Sequence, residues 1–284
     1  MTKIKQLFNI LNNYNPIINP INDRINNYNN CYLFNIYLEN IKLLYNKGLT
    51  KIYQTTHYII KEQILIIDAY INNIDSIINE INNHIKLNNN KHIVKLYNIL
   101  YYNSTEYKNN NLYIYLILEK LNTIKKKFNN NLVKQLLYAI RSIHNQGIIH
   151  CDLNKSNIFI NNKGILKIGD FDCSTTTNQI IGCHNLYISP EFNKLINSSI
   201  YNHNSITKKH DIFSLGILLI QLKYNINIHN LYNHDYNIYY NNLIQSINHI
   251  NNPFIIKLID KDYLNRPDIN EIIQENYFTN SFCC

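Results

Sequence analysis

The sequence predicts an α+β chain in two lobes, a small strand-rich one over about 41–118 and a larger, mainly helical one over about 122–280. Three observations predict it. Apolar runs of strand length surround a single helix-spaced segment between residues 41 and 118. Beyond about 130 the apolar spacing turns helical, and one helix is apolar all round. The 284 residues, 45% of them hydrophobic, suffice for two separate cores.

Residues 1–40 form an Asn-rich extension. A short amphipathic start (Ile4, Leu7, Phe8, Leu11) precedes Pro16 and Pro20, which interrupt any longer helix, and the segment is expected to pack on the first lobe. Strands are then expected over 41–45, 50–54 and 58–61, the first two flanking Asn46-Lys47-Gly48-Leu49. Ile74, Ile77, Ile78, Ile81 and Ile85 give helical spacing over 74–87. Two strands follow, over 99–102 and 112–118. Leu132, Leu136, Leu137, Ile140 and Ile143 place a helix over 132–145 that ends at Gln146-Gly147, with Gly as its C-cap. The stretch His210 to Leu219, apolar on every side of a helix, marks a core helix.

Asn makes up about a fifth of the chain, in short runs such as Asn88-Asn89-Asn90 and Asn129-Asn130-Asn131 that fall between periodic segments and read as loops. The formal net charge of +8 is spread thinly; Lys125-Lys126-Lys127 is the longest basic run, so no nucleic-acid partner is expected. The six cysteines show no metal-ligand spacing and no secreted disulfide framework. No stretch is apolar and long enough to span a membrane, and Met1-Thr2-Lys3-Ile4-Lys5 does not open a signal peptide, so an intracellular, cytoplasmic protein is expected.

The chemistry concentrates in His150-Cys151-Asp152-Leu153-Asn154-Lys155-Ser156-Asn157, followed by Gly169-Asp170-Phe171-Asp172. The spacing sets one carboxylate where it can accept a proton, and an amide and a second carboxylate where both can hold a metal. Phosphoryl transfer needs such a set, since positioning and electrostatics do most of the work. The two stretches resemble the catalytic loop and metal-binding loop of eukaryotic protein kinases, His-Arg-Asp-x-x-x-x-Asn and Asp-Phe-Gly. Tyr187-Ile188-Ser189-Pro190-Glu191 resembles the family's Ala-Pro-Glu end, His210 to Gly216 its Asp-x-Trp-Ser-x-Gly helix, and Asn265-Arg266-Pro267 its late Arg-Pro. The likeness runs in the family's order over roughly 41–280, leaving 281–284 as a tail.

That resemblance implies a bilobal protein-kinase-like fold with ATP in the cleft between lobes, a hinge at 119–121 with Glu119 and Leu121 near the adenine, and a protein substrate. It implies Asp152 as catalytic base, with Lys155, next to Asn154, as a further catalytic candidate, and Asn157 and Asp170 as ligands of Mg²⁺ or Mn²⁺. Lys61 would reach the nucleotide phosphates, paired with Glu80, while Gly48 and Ile52 sit in the register of the phosphate-covering hairpin. His150 would brace the loop, Asp211 would cap its helix against the catalytic-loop backbone, and Glu191 would pair with Arg266. Serine/threonine specificity is expected from the larger class.

Several positions depart from the family. Cys151 replaces the Arg that pairs with a phosphorylated activation segment, so phosphate on Thr175 to Thr177 is not expected to switch the enzyme by that route. Asn154 stands where serine/threonine members place a lysine, Asp172 where they place a glycine, and Tyr45, Lys47 and Thr50 at the three loop glycines. These departures keep a second reading open, a pseudokinase that binds nucleotide or scaffolds without transfer. A third is a small-molecule phosphotransferase of the aminoglycoside or choline kinase type, which shares His-x-Asp-x-x-x-x-Asn. Cys283-Cys284 resembles doubly prenylated tails and leaves lipidation as an option.

Overall fold

The computed structural model describes residues 2–16, 31–33, 36–67, 74–104, 111–125, 127–177, 185–197, 206–250 and 252–275. Much of the stretch before 36, residues 178–184 and Cys283-Cys284 fall outside them. The chain divides into two compact units: Met1–Asn88 with Val94–Leu121, and Asn89–Ile93 with Asn122–Cys284. The first is built on a sheet and the second on helices, the α+β class expected from the pattern.

The first unit centres on a sheet in the order β1 (Asn15–Pro16), β7 (Leu96–Ser104), β8 (Asn111–Glu119), β6 (Tyr58–Ile66), β5 (Thr50–Gln54), β4 (Lys42–Lys47). Every pairing is antiparallel except β1 with β7. A two-stranded hairpin, β2 (Cys31–Leu33) and β3 (Ile36–Leu38), precedes β4 in the chain. Central β8 is buried on both faces and therefore reads as a continuous apolar run. Its side chains alternate between two cores: Leu112, Ile114 and Leu116 join one, Tyr115 and Ile117 the other.

The first of these cores is closed by α2 (Ile74–Leu87) and α1 (Thr2–Leu11). Leu7 and Leu11 are fully buried in the same cluster as Ile77 and Ile81, so residues 2–16 are built into this unit by both packing and strand pairing. Each such leucine contributes about 1.5–3 kcal/mol of burial. On α2, Ile85 is 40% exposed, and Glu80 and His84 turn inward instead. At 3.6 residues per turn either 84 or 85 can follow 81 on the inner face, and polar partners on the sheet side select 84.

The second unit holds α3 (Asn130–Asn145), α4 (Pro190–Asn197), α5 (Lys209–Leu222), α6 (Tyr236–Ile247), α7 (Pro253–Leu258) and α8 (Ile269–Gln274). It also contains a small sheet of β9 (Asn122–Thr123), β10 (Ile158–Ile160) and β11 (Leu166–Ile168). Asn129 caps α3, its side chain accepting from Leu132 N–H, and Gly147 beyond the last turn takes φ +71°. From His210 to Leu222 all of α5 but Gln221 is buried. Gly216 lets α5 approach the end of α7, since a Cβ there would lie 2.5 Å from the Ile259 side chain. Among the described residues no helix is long and apolar enough to cross a membrane.

Candidate active site

In the first unit β6 presents Lys61, Gln63 and Leu65 on the face that meets α2, because alternate residues of a strand share a face. Lys61 Nζ lies 2.9 Å from Glu80 Oε1, and Gln63 Nε2 donates to Glu80 Oε2 at 2.7 Å. Lys61 and Glu80 keep only 7% and 2% of their side-chain surface exposed. One turn along α2, His84 Nε2 bonds the Val94 carbonyl at 2.6 Å. Gln63 lies outside the residues that the sequence motifs mark; its one signal is the two-residue offset from Lys61. The opposite face carries Glu62, also buried, with Lys51 Nζ at 3.2 Å.

The hairpin over the Lys61 strand is tight. Lys47 pairs with Thr50, leaving only Gly48 and Leu49 at the turn, where Gly48 has φ +59° and Ile52 stands opposite both Tyr45 and Lys61. At the end of β8 the Glu119 N–H already donates to the Lys95 carbonyl (2.9 Å), and its carboxylate accepts from Lys95 N–H (3.2 Å). Lys120 Nζ reaches the Thr55 carbonyl at 2.8 Å, and Leu121, half-buried, ends the unit.

In the second unit the loop after α3 is fastened from below by Asp211, in the first turn of α5. Its Oδ2 accepts from His150 N–H (2.9 Å) and from His144 Nε2 (2.8 Å), and its Oδ1 from Cys151 N–H (3.0 Å). Asp211 thus serves the loop rather than capping its own helix, whose cap position, Lys208, makes no side-chain cap bond. Burial alone would raise the Asp211 carboxyl, but the His144 hydrogen bond and the surrounding histidines hold it below its ordinary value. The bonds also sustain Cys151 at φ +63°, a left-handed conformation that costs a non-glycine residue about 1–2 kcal/mol.

The histidines are assigned by their partners. His210 Nε2 faces the Cys151 carbonyl (3.2 Å), which only accepts, so Nδ1 is left to accept from the Ser189 hydroxyl (2.9 Å). Burial lowers the His210 pKa and keeps the ring neutral. His150 Nε2 likewise donates to the Gly169 carbonyl (3.2 Å), and its Nδ1 accepts from Asp152 N–H (3.3 Å). The His150 ring rests on fully buried Phe171, with centroids 5.1 Å apart. The motifs assign no role to the side chains of His144 and His210; each falls on an apolar helix face, where a polar residue signals a buried partner.

Asp152 stands above this base. Asn157 Nδ2 donates to its Oδ2 (2.9 Å) and its carbonyl (3.0 Å), and Asn154 Nδ2 also donates to that carbonyl (3.2 Å). Asp152 Oδ1 is buried with no hydrogen-bond partner among the described residues. Burial raises the Asp152 carboxyl above its ordinary value; Asp170 and Asp172 add to this, while His150 and Asn154 oppose it. Asn154 is buried as the cap of the 3-10 turn Lys155–Asn157, accepting from Ser156 N–H, whereas Lys155 is exposed. The Lys155 N–H donates to the Tyr187 hydroxyl (3.3 Å), which in turn donates to Gln221.

Asn157 and Asp170 are brought together by the Gly169 N–H, which donates to the Asn157 carbonyl at 3.1 Å. Asp170 adopts φ +66°. With Asn157 Nδ2 committed to Asp152, the amide oxygen is the atom left to meet a cation. Among the described residues no group of three His, Cys, Asp or Glu side chains could hold a metal ion. One amide oxygen and one carboxylate fit Mg²⁺, which keeps waters and takes substrate phosphates as its remaining ligands.

Further out, Arg266 is 1% exposed and grips Glu191 with both terminal nitrogens, Nη1 to Oε1 at 2.7 Å and Nη2 to Oε2 at 2.8 Å. After Asp172, Ser174 and Thr175 are buried, Thr175 exchanging backbone bonds of 2.8 and 2.9 Å with Ile149, while Thr176 and Thr177 are exposed.

Comparison with known proteins gives a match to the protein kinase domain over residues 49–278. The serine/threonine-protein kinase ppk16 of Schizosaccharomyces pombe is 27% identical over 248 residues, covering 80% of this chain and 35% of that protein. The probable serine/threonine-protein kinase PLK of Dictyostelium discoideum is 30% identical over 164 residues, or 52% of this chain and 16% of that one. The Wee1-like protein kinase of Arabidopsis thaliana is 31% identical over 135 residues, or 44% and 26%. The chain therefore spans 35% or less of the length of each of these relatives.

Proposed function

The chain belongs to the protein kinase domain family, and from that premise we propose that it transfers the γ-phosphate of ATP to serine or threonine hydroxyls of protein substrates. The observation that carries the reading is Asp152: its backbone and one carboxylate oxygen are fixed, and the other oxygen is buried without a hydrogen-bond partner among the described residues. An acceptor left unpartnered in this way is suited, once substrate entry uncovers it, to orient the substrate hydroxyl and take its proton as the oxygen attacks phosphorus.

Lys61, held by Glu80, would bind the nucleotide phosphates. Asn157 Oδ1 and the Asp170 carboxylate would hold Mg²⁺ or Mn²⁺. When bound, the ion neutralises charge on the phosphate oxygens. Lys155, exposed next in sequence to inward-turned Asn154, would approach the transferred phosphate in its place. The serine/threonine preference draws on the names of two of the relatives.

The test is transfer of ³²P from [γ-³²P]ATP with Mg²⁺ or Mn²⁺ to casein, myelin basic protein and the protein itself, followed by phosphoamino-acid analysis. Phosphoserine or phosphothreonine that vanishes in Lys61→Met and Asp152→Asn supports the reading; label that survives Asp152→Asn defeats it. The tight 47–50 hairpin favours a second reading, nucleotide binding without transfer, because Lys47 and Thr50 pair with each other and carry side chains where the family's loop has glycines. A thermal shift with ATP and Mg²⁺, lost in Asp170→Asn but accompanied by no label, would select that reading.

A further inference from the structure

Glu80 is held from two sides by neighbours on one strand. Lys61 and Gln63 leave the same face of β6, and each takes one carboxylate oxygen, at 2.9 and 2.7 Å. All three side chains are buried, with Lys61 at 6%, Gln63 at 5% and Glu80 at 1% exposure. Chemistry dictates the Gln63 amide orientation. An ionised carboxylate only accepts, so the NH₂ group faces Glu80 and the amide oxygen faces away, where it is buried without a partner among the described residues. An orphan carbonyl oxygen is unfavourable, and an apolar side chain of the same length would fill the space without one. The charge-assisted bond to Glu80 is what offsets it.

We infer that Gln63 is a positioning residue for phosphoryl transfer: it anchors Glu80 beside Lys61 through a bond that nucleotide does not compete for. The inference rests on the proposed function, in which the Lys61 ammonium divides its protons between Glu80 and phosphate oxygens. Gln63 has no such second duty. It holds the carboxylate, and with it the middle of α2, while His84 holds the next turn through the Val94 carbonyl. The bonds from Lys61 and Gln63 to Glu80, and from His84 to Val94, join residues of the first unit.

The test uses the full chain and four proteins: wild type, Gln63→Met, Glu80→Gln and the double variant. Binding of adenylyl imidodiphosphate with Mg²⁺ is measured by calorimetry, transfer by steady-state kinetics, and α2 mobility by hydrogen exchange over 74–87. Gln63→Met should weaken nucleotide binding and raise KM for ATP about tenfold, with kcat changed less than about twofold, and should speed exchange in α2. In the Glu80→Gln background the same substitution should add less than about twofold, because the carboxylate it anchors is gone. Unchanged affinity and exchange in Gln63→Met, or an equal penalty in both backgrounds, would overturn the inference and leave Gln63 as packing. If Gln63→Met does not fold, Gln63→Asn replaces it, one methylene too short to span the gap. If wild type neither binds nucleotide nor transfers phosphate, the functional reading fails. Hydrogen exchange then still decides the anchor: faster α2 exchange only where Glu80 is present upholds it, and no difference overturns it.

Discussion

Two carboxylates, one in each unit, are finished to different degrees. Glu80 has a donor on each oxygen, an ammonium and an amide. Asp152 has Asn157 on one oxygen and, among the described residues, no partner on the other, which is buried. A carboxylate saturated with donors can hold its neighbours in place but has little left with which to accept a proton. One that is half saturated can do both. Glu191, with Arg266 on both oxygens, is a second saturated case and serves as a control outside the candidate site. The difference separates binding from transfer.

The largest effect should come from closing the open acceptor. Asp152→Asn keeps the shape and removes the basic oxygen, so transfer should fall about 10²–10⁴-fold, the span assigned to a positioned acid or base. Its melting temperature should not drop, because burial already disfavours the charge that is removed. A variant that lost stability and activity together would blur the distinction.

Breaking the saturated control should do the reverse. Arg266→Ala strips a buried guanidinium from Glu191, and urea unfolding should show a loss of about 3–5 kcal/mol. Glu80→Gln should cost less, about 1.5–3 kcal/mol, as expected for hydrogen bonds to a charged group. It should also weaken nucleotide binding, read by calorimetry.

The smallest effect is a pH dependence. Burial pushes the Glu191 carboxyl up, but Arg266, through hydrogen bonds and charge, outweighs it and holds the group below its ordinary value. A lowered folded pKa means that the stabilisation is present above the unfolded pKa and is lost as pH falls through the folded one. Urea midpoints should therefore decline on acidification below the ordinary glutamate range, and less steeply in Glu191→Gln. Equal slopes would remove Glu191 from the account.

Local pattern was legible where periodicity is local. The helix over 74–87, the pairing strands around Gly48 and the spacing of Asp152, Asn157 and Asp170 could all be read along the chain. What escaped depends on partners far away in sequence. Gln63 meets Glu80 across 17 residues and His144 meets Asp211 across 67, and no local period reports either bond. The choice of His84 over Ile85 for the inner face of α2 was invisible for the same reason: the Val94 carbonyl decides it. Asn154 illustrates a different limit. Its position matched a functional slot of the family, but a short polar side chain beside a 3-10 turn is better used as a cap.

The most direct test of the separation between a holding and an accepting carboxylate is the transfer rate of Asp152→Asn at saturating ATP and Mg²⁺, set beside its nucleotide dissociation constant. The account predicts a rate about 10²–10⁴-fold below wild type with the dissociation constant unchanged within about twofold. A wild-type rate, or a loss that falls on nucleotide binding instead, would contradict it.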